Sequence, residues 1–231
     1  MTRTWSDTLL SRARLGDYIL ANRIVMAPMT RGRVSTGELP HPLAATYYAQ
    51  RASAGLIITE AAHVAPNGVG YIPSPGLYTA AQMDAWREVT RAVHARGGRI
   101  YVQLWHAGRV SHPSVQPSGS LPVAPSALSA ANGHLSDRFV TPRALESREI
   151  PELVGQFAKA ADLALRAGFD GVDIHAANGY LIDQFLRTGT NLRTDGYGGS
   201  LPKRARFLLE IVEAVACVWG AQRIGVRLSP L

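Results

Sequence analysis

The chain has 231 residues, 46% of them hydrophobic and 18% charged, with a formal net charge of +7. That composition belongs to a globular domain with a sizeable core and excludes a disordered or low-complexity chain. A basic balance invites a nucleic-acid partner, but Lys159 and Lys203 are the only lysines and the arginines are scattered along the chain; a nucleic-acid binder gathers its charge on one face. The single cysteine, Cys217, excludes an intrachain disulfide and a cysteine-based metal cluster. Residues 1–20 are polar, without the apolar core of a signal peptide, and no apolar run approaches the roughly 18 residues of a membrane span. The expectation is a soluble, cytoplasmic protein with no membrane or nucleic-acid partner.

Along the chain, short β-branched runs alternate with helical patterns. A first strand is predicted at 23–27, stopped by Pro28, then a helix over 42–53 and a strand over 55–60. Thr79 and Gln82 stand at the spacing of a capping box, ahead of an apolar stripe of Met83, Trp86, Val89 and Val93. Gly97-Gly98 ends that helix, and 99–105 is the third strand. Pro151 opens a helix with Val154, Phe157, Ala161 and Leu165 on one side. The fourth strand is 169–174, Pro202 opens a helix through Cys217, and 223–229 is the fifth strand. Segments 64–77 and 108–146 lack helical periodicity; loops so long are usually functional, and both are expected to cap one end of the fold.

Strand–helix alternation implies parallel strands joined by right-handed crossovers. The closest approach to a dinucleotide-binding fingerprint, Gly68-Val-Gly70, lacks its third glycine and follows no strand directly, which argues against a Rossmann fold. Distinctive residues follow the strands instead: Thr30, Ala61, His106, His175 and Arg227. Such a distribution suits a (β/α)8 TIM barrel, whose active site is built at the C-terminal ends of its strands.

The richest stretch is Ala167-Gly-Phe-Asp-Gly-Val-Asp-Ile-His175-Ala-Ala-Asn178-Gly-Tyr180-Leu-Ile-Asp-Gln-Phe185. In one helical turn, positions 175 and 178 share a face, and Gly179 frees the backbone to aim Tyr180. Taken singly, a strand-end histidine is more often structural and a tyrosine more often core. No second ligand stands at metal-binding spacing.

Taken whole, the stretch resembles the old yellow enzyme family. So do Asn22-Arg-Ile-Val-Met-Ala-Pro-Met-Thr30, Tyr47-Tyr-Ala-Gln-Arg-Ala-Ser-Ala-Gly-Leu-Ile-Ile-Thr-Glu-Ala61, Gly98-Arg-Ile-Tyr-Val-Gln-Leu-Trp-His106, Pro142-Arg-Ala-Leu-Glu146, Asn191-Leu-Arg-Thr-Asp-Gly-Tyr-Gly-Gly-Ser200 and Arg223-Ile-Gly-Val-Arg-Leu-Ser-Pro230. The likeness is greatest to bacterial members that reduce maleimides, enones and nitro or nitrate esters. It implies a single FMN-binding barrel domain over 1–231 that uses NADPH or NADH to reduce the C=C bond of α,β-unsaturated carbonyl or nitro compounds.

Position by position, the resemblance places Thr30 on the flavin carbonyl beside the reactive nitrogen. It gives Pro28, Met29 and Ala61 backbone contacts, Gln103 the pyrimidine edge, and Arg227 the N1 and O2 side, where a permanent cation favours the reduced form. Tyr71 and Trp105 become substrate-pocket walls. His175 and Asn178 become the hydrogen-bond donors to the substrate oxygen, and Tyr180 the proton donor; a phenol is protonated at neutral pH without tuning. A His–Asn pair matches the yeast and plant pattern, whereas many bacterial relatives carry His–His. Thr30 stands where a thermostable branch has cysteine. Leu201-Pro-Lys203 replaces the usual Glu-Asn pair, a tolerated change at a helix start.

The resemblance also implies three further strand–helix units after residue 231, including the barrel's usual phosphate site. The expectation is therefore a barrel truncated after its fifth strand. The alternatives are one half of a split barrel completed by a C-terminal fragment, a non-catalytic remnant, or a dienoyl-thioester reductase-like enzyme.

Overall fold

The computed structural model describes residues 5–70, 73–130 and 139–229. It opens with α1 (Trp5–Leu9) and an antiparallel hairpin of β1 (Ala13–Leu15) and β2 (Tyr18–Leu20). Nothing in the sequence pattern marks this hairpin, because each strand is only three residues long. Tertiary contacts hold it: the Tyr18 hydroxyl donates to the Asp170 carbonyl at 3.0 Å, and Leu20 packs with Leu56 and Tyr101. At its turn Gly16 has φ +53°, and a Cβ there would lie 1.9 Å from the Gln222 carbonyl oxygen. Only glycine fits so close an approach.

The sheet has five strands: β3 (Val25–Met26), then, after the small hairpin of β4 (Val34–Ser35) and β5 (Leu39–Pro40) and helix α2 (Leu43–Ala49), β6 (Leu56–His63), followed by α3 (Ala80–His94) and β7 (Ile100–Trp105). A short parallel pair, β8 (Val123–Ala124) with β9 (Arg143–Ala144), and α4 (Ile150–Arg166) lead to β10 (Gly171–Ala176). Helices α5 (Leu181–Leu186) and α6 (Leu201–Trp219) precede β11 (Ile224–Leu228). The spatial order β3-β6-β7-β10-β11 follows the chain without reversal, and every pair is parallel. A doubly wound sheet would reverse at a switch point; a monotonic order is the wall of a barrel. The sheet is thus an incomplete TIM barrel. All six residues of β7 and of β10 are buried, as expected for parallel strands covered on both faces.

The capping box at Thr79 and Gln82 is present, and Met83, Trp86, Val89 and Val93 are buried as the stripe predicted. On α4 the expected stripe needs correction. Phe157 and Ala161 are buried, but Leu165 is 43% exposed, and the buried face runs through Ile150, Leu153, Ala160 and Ala164 instead. The shift is one residue, about 100° around a helix. Phe207, Ile211, Val215 and Trp219 of α6 are buried; the Trp219 indole donates to the Ala161 carbonyl of α4 at 2.9 Å, and the Phe207 ring lies 4.5 Å from that of Phe185 on α5. The predicted helix over 42–53 is shorter, ending at Ala49. At the α6 start, beyond the unusual Leu201-Pro202, Arg204 donates to the Leu186 carbonyl at 2.7 Å.

The two long segments meet beyond the C-terminal ends of β6 and β7. The Ser111 hydroxyl and the Gln116 amide both donate to the Val69 carbonyl, at 2.7 and 3.0 Å, and Ala107 N–H donates to the Gly68 carbonyl at 2.9 Å. No helix among the described residues is long and apolar enough to cross a membrane.

Candidate active site

The C-terminal ends of the strands enclose a cavity of about 220 Å³. Pro28 and Thr30 reach it from the segment after β3, Ala61 from β6, Gln103 and Trp105 from β7, and Arg227 from β11. His175 near the end of β10, with Asn178 and Tyr180 just beyond it, completes the lining. Met29 does not line the cavity and is 50% exposed. Tyr71 lies outside the described residues.

The convergence has a local cause. Side chains alternate along a strand, so Asp173 and His175 share one face of β10. Their partners across the parallel ladders are Gln103 for Asp173 and Arg227 for His175. His175 and Asn178 do not share a helical turn, the one geometry in which their spacing alone would put them on one face. His175 is still in the strand, Asn178 has φ +60° and Gly179 φ +78°. Two consecutive left-handed residues turn the chain sharply, as turns requiring positive φ do, and α5 begins directly after Tyr180. The Tyr180 ring then lies edge-on to both His175 and Trp105, with centroids 5.0 and 4.8 Å away.

Charge in the cavity is sparse. Burial, with Arg227 adding to it, lowers the His175 pKa to about 4, so its ring is neutral at pH 7 and carries one N–H donor. Burial also lowers the nearby His106 to about 3 and His63 to about 4. Arg227 is the permanently ionised side chain among the described lining residues. Asp173, behind Gln103, has its pKa raised by burial, opposed by the Gln103 hydrogen bond and by Arg227.

The donor set fits the acceptor-rich edge of a flavin. Gln103 donates from Nε2 to Asp173 Oδ2 at 2.7 Å. A carboxylate only accepts, so this bond fixes which way the amide faces. It leaves Gln103 its Oε1 and a second N–H, matched to a pyrimidine ring that offers one donor beside one acceptor. His175 Nδ1 and Trp105 Nε1 are buried without hydrogen-bond partners. Buried polar atoms are rarely left so, and here both sit in residues that line one cavity. Among the described residues no cluster of His, Cys, Asp or Glu is arranged to hold a metal ion.

Several residues with a part in this geometry carried no signal in the sequence. Asp173 is one, visible only through strand alternation. Glu60 is another: 3% exposed, it accepts from the Arg31 N–H at 2.9 Å and so ties the Thr30–Arg31 segment to β6. Burial raises its pKa to about 7. Asp183 and Ser229 bond the Asn178–Gly179 turn.

A monotonic parallel wall with a donor-lined cavity at its C-terminal mouth defines the ligand-binding part of a TIM-barrel enzyme. The chain matches the model of the NADH:flavin oxidoreductase / NADH oxidase family over residues 11–231 and belongs to that family. It is 44% identical to 12-oxophytodienoate reductase 1 of Oryza sativa subsp. japonica over 223 residues, covering 96% of this chain and 58% of the relative. With 12-oxophytodienoate reductase 2 of Arabidopsis thaliana the identity is 46%, covering 97% and 62%. Morphinone reductase, solved in complex with tetrahydroNAD, superposes with a TM-score of 0.93 at 52% identity, covering 96% of this chain and 64% of that one. The old yellow enzyme homologue from Zymomonas mobilis superposes at 0.91 with 49% identity, covering 96% and 63%. The chain therefore spans less than two thirds of the length of these relatives.

Proposed function

We propose that this chain carries the substrate-activating part of an FMN-dependent ene-reductase acting on α,β-unsaturated carbonyl or nitro compounds. The observation behind this reading is the single cavity that Thr30, Gln103, Arg227, His175, Asn178 and Tyr180 share. Bound FMN, reduced by NADPH or NADH arriving at the same mouth, would supply the hydride. Thr30, Gln103 and Arg227 would hold its ring, with Pro28, Met29 and Ala61 offering backbone contacts and Arg227 countering charge on the N1 and O2 side. Trp105 and Tyr71 would wall the substrate pocket.

The chain's own residues act on the substrate oxygen and α-carbon. Hydride addition at the β-carbon leaves negative charge on the carbonyl or nitro oxygen. Neutral His175 and Asn178 each donate one hydrogen bond to that oxygen, an interaction stronger in the transition state than in the ground state. Tyr180 donates its phenolic proton to the α-carbon and recovers one from solvent.

Tyr180→Phe tests the reading. With the chain joined to the remaining length of its relatives, flavin reduction by NADPH should proceed at the parent rate. Reoxidation by cyclohexenone should slow by about 10²–10⁴, the usual contribution of a positioned acid. Equal loss in both half-reactions would assign the proton to another group.

A further inference from the structure

Asn178 is a non-glycine residue at φ +60°, followed by Gly179 at +78°. Left-handed backbone is uncommon outside glycine, even though asparagine tolerates it better than most residues. Such conformations persist only where the surroundings over-determine them. The surroundings here form a closed ring. The Asn178 N–H donates to Ser229 Oγ at 3.0 Å, and the next amide, Gly179 N–H, donates to Asp183 Oδ2 at 2.8 Å. Arg187 joins the two acceptors: its Nε donates to the same Asp183 oxygen at 2.8 Å, and an Nη donates to the Ser229 carbonyl at 2.9 Å and to Ser229 Oγ at 3.3 Å. Gln184 adds a bond to the Gly179 carbonyl at 2.7 Å. Asp183 is 3% exposed, so its oxygens are satisfied by these donors and not by solvent.

The ring links two places that matter to each other. Ser229 lies two residues beyond Arg227, which is the ladder partner of His175. Tying Ser229 to Asn178 therefore sets the distance between the end of β11, carrying the cation, and the turn carrying the amide donor. Donors to a developing charge lose effect when they drift by about 1 Å.

We propose that Ser229, Asp183 and Arg187 form a clasp that fixes the Asn178 amide relative to Arg227, and are positioning residues for activation of the substrate oxygen. This rests on the ene-reductase reading above. A phenol is a suitable probe, because its oxygen can accept from both donors and an aromatic ring stacked on bound flavin would be read as a change in its absorption. In the FMN-loaded protein, Ser229→Ala and Asp183→Ala should each raise the dissociation constant of 4-hydroxybenzaldehyde about tenfold, the usual effect of losing one hydrogen bond. FMN affinity should stay within about twofold of the parent. Ser229→Thr and Asp183→Asn keep an accepting oxygen and should restore phenol binding. Parent-like phenol affinity in both alanine variants overturns the clasp.

Amide exchange in the chain without flavin reads the clasp independently. Ser229→Ala should speed exchange at Asn178 about tenfold while leaving residues 172–175 unchanged, and unchanged exchange at Asn178 overturns the proposal. An FMN-loaded parent that gives no phenol response counts against the ene-reductase reading instead, and the exchange result still decides the clasp.

Discussion

At the N-terminal ends of the strands, buried polar groups are matched to one another; at the C-terminal ends, several are left waiting. Asp170, just before β10, accepts from the Ile100 N–H at 2.8 Å, lies 3.0 Å from the Arg99 guanidinium and 2.9 Å from His94 Nε2. On the surface beside it, Arg223 pairs with Asp17 of the β1–β2 turn at 3.1 Å. The other end holds His175 Nδ1, Trp105 Nε1 and His106 Nε2, all buried and without partners. An unsatisfied buried polar group costs about 1–3 kcal/mol. Of these residues, His175 and Trp105 line the cavity and mark where the fold gives up stability for a ligand, while the other end supplies stability.

That contrast is broken most severely by substituting one residue at each end. His175→Ala should lower the alkene-reduction rate by about 10²–10³, the cost of one lost donor to a developing charge, and phenol affinity about tenfold. It removes an unpartnered buried atom, so thermal stability should change by less than about 1 kcal/mol. Asp170→Ala should do the reverse. Removing the acceptor of the buried Ile100 N–H and of the half-exposed Arg99 costs about 1–3 kcal/mol, read as a lower denaturant midpoint, with phenol affinity unchanged in the folded fraction. If Asp170→Ala weakened phenol binding as strongly as His175→Ala, the two ends would not be separable.

The same division governs what could be read from sequence. Strands β6, β7 and β10 are legible because burial on both faces favours short, mostly apolar runs between longer helical patterns, and α3 because its cap and stripe are local. Residues such as His175, Arg227 and Gln103 are legible through their place at strand ends and through family resemblance. The partners that orient them are not. Asp173 meets Gln103 only through a register between strands 70 residues apart in the chain, and Ser229 meets Asn178 across 51 residues. The geometry of 175–178 could not be chosen from sequence because i, i+3 spacing fits either a helix or a strand end followed by a tight turn. The positive φ of Asn178 decides between them, and it is enforced by tertiary bonds. The hairpin of β1 and β2 escaped for the same reason: Gly16 is required by Gln222, more than 200 residues away.

Glu60 sharpens the comparison from beside the mouth, behind Ala61. Its pKa is raised from 4.5 to about 7 by burial, against the Arg31 amide that holds it. A raised folded-state value means that its contribution to stability is complete below about pH 4.5 and is lost as pH rises through about 7. Glu60→Gln keeps an accepting oxygen and removes the titration. The variant should therefore gain on the order of 1–3 kcal/mol over the parent at pH 8 and show no advantage at pH 4.5. Taking the difference between the two proteins cancels the buried histidines, which titrate with the opposite sign. A pH-independent difference in unfolding midpoint would refute the assignment.

The smallest effect is also the most specific to this site. His175 is held neutral by burial, with a value of about 4 where 6.5 is ordinary, and Asn178 does not titrate. Between pH 5.5 and 7 neither donor changes state, so phenol affinity, corrected for ionisation of the phenol itself, should vary by less than about twofold. Replacing Asn178 by histidine should restore a titration to this window, because that position is exposed and an exposed imidazole keeps an ordinary pKa. A flat profile in Asn178→His, or a steep one in the parent, would move the titrating group away from this pair. The experiment thus separates two reasons for a neutral donor: His175 is kept uncharged by its surroundings, Asn178 by its chemistry.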